Sequence, residues 1–414
     1  MTAAAPTVVI GAGVVGLSIA YHLVLDGAAV TLVDRDPESD KASFGNAGGI
    51  AVTEVVPASV PGLAWKVPFW LLDPLGPLAV RPRHALRLVP WLWRFAQAGR
   101  PAEMERIATA LAALNGRVYD DLVPMLARTG LAGELNRNGA LTVYESRAAY
   151  DRDAREWALK RRHGIETRFL ERLELHAMEP ALGPRAACGV FTPQWSHVNN
   201  PKHLVDALRD WLLRQGMTIT PGRVTALAVD GPVLVRLQDG NDLRAERVVV
   251  AAGAWSGHLA RQLGDPVLIE SERGYNTTIP QPGVTLGREI IFAERKFVAT
   301  PLSCGLRIGG AAEFGGLDAI ANYKRSQALS KLAGLYLPGL KPGGGTDWAG
   351  HRPTTPDSLP VIGPSPHRPA VVYAFGHGHL GLTQAATTGR LVADLVAGRQ
   401  PPVDMAPYDI ARFN

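Results

Sequence analysis

The chain has 414 residues, 46% hydrophobic and 20% charged, which describes a globular protein with a sizeable core and excludes a disordered or fibrous one. Its net charge of +5 comes from dispersed arginines rather than a basic tract, which argues against nucleic-acid binding. No apolar run reaches membrane-spanning length, the start of the chain leads to no expectation of a signal peptide, and the two cysteines, Cys188 and Cys304, form no metal-ligand or disulfide pattern.

Thr7 to Ile10 is a short β-branched apolar run, as in a fully buried parallel strand. Gly11, Gly13 and Gly16 follow as G-x-G-x-x-G, with Val14 and Val15 inside the motif. The first glycine makes a tight turn, the second admits a pyrophosphate, and the third lets the next helix lie close on the strand. Gly27 is placed to end that helix, Ala28 to Val33 reads as a second strand, and Asp34 at its end can accept hydrogen bonds from a ribose. Strand, glycines, helix, strand and acid fall in the order of a dinucleotide-binding fingerprint.

The loop Ala42 to Ile50 holds Ser43, Asn46, Ala47, Gly48 and Gly49, and fits backbone N–H groups facing an anion or planar ring, or an ordinary glycine-rich connection. Residues 55–100 carry seven prolines and four of the nine tryptophans: Trp65, Trp70, Trp91 and Trp93. Proline density predicts no long helix before about Leu86, and a short one after it. The segment reads as a lid, a membrane-docking surface, or an insertion packed on the body, with packing favoured. Residues 101–129 are predicted helical, with Ile107, Leu111, Leu114 and Val118 on one face, and a charged helix is expected from Arg147 to His163. A strand and an amphipathic helix carrying Leu204, Leu208 and Leu212 come next, then a hairpin turning at Asp239-Gly240. Its last strand runs into Ala252-Gly253-Ala254-Trp255, a place where a sheet's carboxyl end can touch a ligand. Residues 265–345 are strand-rich, and the chain finishes with a strand, a glycine–histidine loop from Gly376, and a helix from about Leu382. A helix N-terminus behind such a loop offers a positive dipole to an anionic group.

Taken together, these motifs resemble the flavin-dependent D-amino-acid dehydrogenases and oxidases, the family that includes glycine and sarcosine oxidases. The resemblance rests on GAGVVG with Asp34 and Arg35, S-x-x-N-A-G at Ser43 to Gly48, and V-V-V-A-A-G-A-W-S at Val248 to Ser256. It continues through R-G-Y at Arg273 to Tyr275, H-R-P-T-T-P-D-S-L-P-V-I-G at His351 to Gly363, and G-H-G-H-L-G-L-T at Gly376 to Thr383. The P-L-A-V-R of Pro77 to Arg81 resembles the dehydrogenase branch.

The resemblance implies an α/β protein: a Rossmann-like FAD-binding domain of the glutathione-reductase type joined to a mainly antiparallel β substrate domain. The expected segments are 1–54, 165–262 and 345–414 for FAD, and 55–164 and 263–344 for substrate. FAD would meet Gly11 to Gly16, Asp34, Val224, Ala252, Gly253, Trp255 and the loop that holds Gly378, Gly381, Leu382 and Thr383. Relatives bind the substrate carboxylate with an arginine, which matches Arg352. That residue precedes Pro353 in a motif without periodicity and is expected on a loop. Covalent-flavin members carry a cysteine where this chain has Gly350, so FAD is expected without a covalent bond. Glycine oxidases place an arginine at His379 and a tyrosine at Phe297, and both differences argue against a glycine or sarcosine substrate. Tyr275 is read either as a second carboxylate ligand or as a plug in the substrate domain. His377 and His379 are read as proton carriers or, in preference, as loop residues shaping the pocket.

The leading reading is oxidation of a D-amino acid or a cyclic imino acid such as proline or hydroxyproline. Hydride passes from Cα to the flavin, and the imino acid hydrolyses to the 2-oxo acid where it is acyclic. Electrons would pass to a quinone or a carrier; direct use of oxygen and a non-catalytic flavoprotein are the alternatives. The expected location is cytoplasmic, or peripheral on the inner face of the cell membrane.

Overall fold

The computed structural model describes residues 6–39, 41–60, 78–229 and 231–414. The sequence readings at Trp65, Trp70 and Pro77 lie outside those residues. A six-stranded sheet forms the first layer, in the order Thr218–Pro221, Val30–Asp34, Thr7–Ile10, Arg247–Val250, Val371–Phe375 and Val361–Pro364. The first five strands are parallel and the last is antiparallel to its neighbour. Val8, Val9, Val248, Val249 and Val250 are wholly buried, because helices cover one face of this sheet and the small antiparallel sheet of Val224–Ala228, Val233–Leu237 and Asp242–Ala245, with the helix Ser256–Gln262, covers the other, leaving no solvated side to alternate with.

The helices Val14–Leu25 and Gly381–Val396 cross against each other on one face of this sheet, with Gly389 against the carbonyl of Ser18. Gly27, at φ 80°, closes the first helix as its sequence position predicts. Two glycines of the N-terminal motif are required by the fold. A Cβ on Gly11 would lie 2.4 Å from the carbonyl oxygen of Ala251, and one on Gly16 would lie 1.9 Å from the carbonyl oxygen of Gly11. Gly13 is different: its Cβ would meet nothing nearer than Ser43 Oγ at 3.5 Å.

The second layer is a nine-stranded sheet in the order Thr346–Thr354, Glu270–Ile279, Gly305–Phe314, Phe297–Leu302, Glu289–Phe292, Ala140–Tyr144, Cys188–Thr192 and Arg168–Leu170. Leu78–Val80 pairs beside the far end of Gly305–Phe314. Six of its eight pairings are antiparallel, and the exceptions are the parallel pairs of Leu78–Val80 with Gly305–Phe314 and of Glu289–Phe292 with Ala140–Tyr144. The sheet carries its own core, with Tyr275, Phe292, Phe297, Tyr336 and Leu337 buried together.

Several elements depart from the sequence reading. Arg352 lies on a strand and not on a loop, since Thr346–Thr354 pairs residue for residue with Glu270–Thr278. The strand is at the sheet edge, where the missing N–H of Pro353 breaks no ladder bond. The strands Arg168–Leu170, Cys188–Thr192 and Thr346–Thr354, which fall in segments grouped with FAD binding, run in the nine-stranded sheet because their pairing partners do. The insertion forms a helix Pro82–Ala98, longer than predicted. Pro82 occupies its first turn, where no N–H is needed, and Pro90 interrupts one bond without ending the helix. The helical run 101–129 is two helices, Pro101–Asn115 and Val118–Thr129, and the charged run is Arg147–Arg152 and Ala154–Arg162. Among the described residues no helix is long and apolar enough to cross a membrane.

The contrast between Gly16 and Gly13 gives a stability test. Gly16→Ala forces a side chain into backbone and should cost at least the upper end of the roughly 1–3 kcal/mol of overpacking. Compared without bound cofactor, Gly13→Ala should melt like the wild type; equal melting temperatures for the two variants would refute this reading of the motif.

Candidate active site

Where the two sheets face each other, a cavity of about 2440 Å³ opens between the carboxyl ends of the parallel strands and the inner face of the antiparallel sheet. That exceeds the roughly 300–1,000 Å³ of a site for one small ligand, and suits an extended dinucleotide with a substrate beyond it. Its first wall is the N-terminal motif. Gly11, Gly13, Val14 and Val15 line it, and Asp34 closes the end of the neighbouring strand. The Asp34 carboxylate accepts from the N–H of Ala12 at 2.6 Å and pairs with Lys41 at 3.1 Å, which fixes the acid with lone pairs to spare for a ribose. Arg35 stacks on the ring of Trp255, 3.8 Å from its centre, beside Val224, Ala252 and Gly253.

The loop after Lys41 is held from three sides. Ser43 Oγ accepts from the N–H of Val14 at 3.0 Å, and Asn46 accepts from the N–H of Gly48 at 2.8 Å. From the opposite sheet, Arg307 donates to the carbonyls of Phe44 and Asn46 at 2.9 and 2.6 Å, and Asn276 donates to that of Gly45 at 2.7 Å. Ala47 lines the cavity beside these residues. Thr383, in the C-terminal helix, accepts from the N–H of Ala51 at 2.9 Å. Gly16, Gly48 and Thr383 do not line the cavity and act by holding the residues that do, whereas Gly378, Gly381 and Leu382 face it.

The far part of the cavity gathers Arg352, Tyr275, Phe297, His377 and His379, so the structure brings the sequence-predicted residues together. Arg352 donates to Glu272 at 2.7 Å and to the carbonyl of Ala311 at 3.1 Å. Tyr275 is buried and its hydroxyl is engaged, donating to Glu313 at 3.1 Å and accepting from the N–H of Asn322 at 3.0 Å. Phe297 stacks on Phe292 at 4.2 Å. His377 is buried against Thr388 Oγ1 at 3.0 Å, and desolvation lowers its pKa to about 3. His379 stands in the cavity itself. Desolvation by the surrounding walls lowers its pKa, against the opposing pull of Glu54 and Glu272.

Five residues of this region were not singled out in the sequence: Glu54, Lys160, Glu272, Glu289 and Trp348. Glu54 and Lys160 form an ion pair of 2.6 Å in the cavity wall. Burial tends to raise the Glu54 carboxyl, but Lys160 outweighs it and the pKa is lowered. Glu289 is buried under Gly49 and accepts from Trp195 Nε1 at 3.0 Å; desolvation raises its pKa to about 8. Trp348 lies flat between Gly45 and Gly350, 2.1 and 2.0 Å from where their Cβ atoms would be. Single charged residues in unrelated segments carry no spacing signal, which is why only the fold reveals this set.

An FAD-dependent oxidoreductase family model (DAO) matches residues 7–395. The chain is 37% identical, over 98% of each sequence, to a D-amino-acid oxidase of Bradyrhizobium diazoefficiens. Among solved structures it resembles a glycine oxidase from Geobacillus kaustophilus, with a TM-score of 0.73 at 21% identity over 98% of each chain. An L-proline dehydrogenase from P. horikoshii gives a TM-score of 0.74 at 18% identity, covering 100% of this chain and 98% of that one. At those identities the two structures show the fold, which is the expected α/β arrangement. The chain belongs to the DAO family of FAD-dependent oxidoreductases, and FAD is its cofactor. The residues present fit that group. Gly13 is a glycine the protein's own packing does not require, it faces the cavity, and it opens the helix whose N-terminus would hold a pyrophosphate.

Two outcomes follow. A cysteine at position 350 would have to displace the ring of Trp348, so the flavin is expected without a covalent bond. Acid precipitation should leave all yellow colour in solution, and a coloured pellet would contradict it. The second concerns Glu289. Its carboxyl stays protonated in the folded protein up to about pH 8, while the unfolded chain ionises in the ordinary carboxylate range. The stability linked to that proton is fully present below the ordinary range and is lost as pH rises through about 8. Glu289→Gln should therefore match wild-type melting in mild acid and exceed it in mild alkali; parallel pH profiles would refute this.

Proposed function

We propose that the protein oxidises a D-amino acid or a cyclic imino acid to the corresponding imino acid, which water hydrolyses to a 2-oxo acid and ammonia when it is acyclic. The observation that carries this reading is a guanidinium, Arg352, facing a cavity whose opposite wall is a dinucleotide cradle. When bound, FAD supplies the acceptor for the Cα hydrogen and its electron pair. The chain orients the substrate. The Arg352 fork is suited to a carboxylate, Phe297 and Phe292 give an apolar wall, and the enclosing sheets limit water. The engaged hydroxyl of Tyr275 favours a packing role over a second carboxylate contact. The name of the Bradyrhizobium relative supports the D configuration.

The helix Pro82–Ala98 supports the lid part of the reading for the aromatic insertion. Leu88, Trp91 and Phe95 line the cavity, and Trp91 Nε1 donates to the carbonyl of Thr354 at 3.1 Å. Leu86, Val89 and Trp93 are exposed on the same helix, with Arg83, Arg87 and Arg94 beside them in sequence. That pattern supports an acceptor met at a membrane surface, whereas hydrogen peroxide formed in stoichiometric amount under air would assign oxygen instead.

The test of the site is Arg352→Ala, assayed by anaerobic flavin reduction with the best D-amino acid and with its amide. A desolvated carboxylate left unpaired should lose roughly 2–5 kcal/mol, about one and a half to three and a half decades in kcat/KM. The amide has no carboxylate and should lose far less. Equal slowing of both substrates would assign Arg352 to the fold or the flavin.

A further inference from the structure

Arg352 is over-determined in a way that simple exposure to substrate does not require. Its partner across the edge pair of strands is Glu272, directly opposite in register, and Glu272 Oε1 accepts from Nη1 at 2.7 Å. The other oxygen of Glu272 accepts from Thr354 Oγ1 at 3.1 Å, so the carboxylate is itself fixed. On the far side, the strand Gly305–Phe314 breaks register between Arg273 and Tyr275, and Ala311 within it takes a left-handed φ of 53°. The irregularity turns two successive carbonyls toward the arginine. Ala311 accepts from Nη1 at 3.1 Å and Gly310 from Nη2 at 3.4 Å. A strained alanine at a bulge is the kind of feature that persists where the surroundings re-aim a group. Gly274 completes the seat, because its Cβ would fall 2.5 Å from Nη2, 2.6 Å from Cζ and 2.8 Å from Nε, so the guanidinium lies flat over the bare backbone.

These bonds occupy three of the five N–H groups of the side chain. One N–H on Nε and one on Nη2 remain, the two donors that can receive a carboxylate in a two-pronged manner. We propose that Glu272 is the positioning residue for Arg352: it holds the guanidinium on its seat so that the two free donors present one edge to the substrate carboxylate, and its charge tempers the attraction of that edge. The proposal rests on the reading that Arg352 receives that carboxylate.

The experiment uses the FAD-loaded protein with Glu272→Ala and Glu272→Gln. Two quantities are read: the limiting rate of anaerobic flavin reduction by the best D-amino acid and by its amide, and the dissociation constant of the α-methyl analogue. The analogue has no Cα hydrogen and cannot be oxidised, so the flavin absorption reports its binding alone. Glu272→Ala removes both the bond and the charge, and should slow reduction by the acid about tenfold or more while changing the amide by less than about twofold. Glu272→Gln keeps an acceptor oxygen in place and should restore the rate to within about threefold of wild type. Without the negative charge it should also bind the analogue at least about threefold more tightly. Melting temperature and FAD content serve as controls for a fold effect. Equal slowing of acid and amide, an unchanged acid rate in Glu272→Ala, or weaker analogue binding by Glu272→Gln would each overturn the proposal while leaving the reaction intact. A wild-type flavin that no amino acid of either hand reduces would instead overturn the functional reading, and the proposal with it.

Discussion

Everything in this molecule depends on two strand ends that nearly touch. Ile10 and Ala251 are joined by a backbone bond of 2.9 Å, and the chain must turn away from both at once. Gly11 allows it, at φ 113°, because any side chain would strike the Ala251 carbonyl. Gly16 then lets the first helix sit directly on that turn. Segments some 240 positions apart in sequence are thereby brought to one crevice outside the carboxyl ends of a parallel sheet, where ligands of such sheets bind. The C-terminal strand Val371–Phe375 adds its own loop to the same crevice, since it pairs with Arg247–Val250 on the other side.

The second sheet closes over that crevice, and it does so through bonds to backbone carbonyls as well as through ring contact. Arg307 and Asn276 reach out of their strands to hold the carbonyls of Phe44, Gly45 and Asn46. Trp348 wedges flat between Gly45 on one layer and Gly350 on the other. Polar contacts of this kind fix a distance and an orientation, which hydrophobic burial alone does not. The relation of the cofactor loop to the edge strand bearing Arg352 is therefore set by directional bonds, and a small error in any one of them would be felt at the reacting atoms.

Much of this was legible in the sequence, and the boundary between what was and was not has a physical basis. The first strand, its glycines and Asp34 follow local rules of turn geometry and burial, so Thr7 to Asp34 folds as its residues dictate. The pocket residues Arg352, Phe297, His377 and His379 were recognisable through their motifs and do share one cavity. Arg352 was misplaced on a loop because Pro353 looks like a breaker unless the strand is known to be an edge. Pro82 and Pro90 misled in the same way, since one sits at a helix start and the other only interrupts. Glu54, Lys160, Glu272 and Glu289 were invisible, because their meaning comes from partners 80 to 106 positions distant or from burial, neither of which has a period.

The electrostatics of the far cavity also bear on the proposed chemistry. His377 has a pKa lowered to about 3 by desolvation, and His379 is lowered for the same first cause. Neutral imidazoles therefore face this region near pH 7, and the cations among the described lining residues there include Arg352, Lys160, Lys296 and, on the helix Pro82–Ala98, Arg87. Lys160 is tied to Glu54 and Arg352 to Glu272, so the site already balances most of its charge before a substrate enters. An incoming amino acid brings an ammonium as well as a carboxylate, and only the neutral amine has the lone pair that supports loss of the Cα hydrogen. A cavity of paired charges and uncharged histidines, with water limited by two sheets, favours that neutral amine through desolvation. In the proposed reaction the site would take up the amino acid with its amine proton already left to solvent, so the paired charges of the cavity would serve carboxylate capture and the neutral amine without a dedicated acid–base residue.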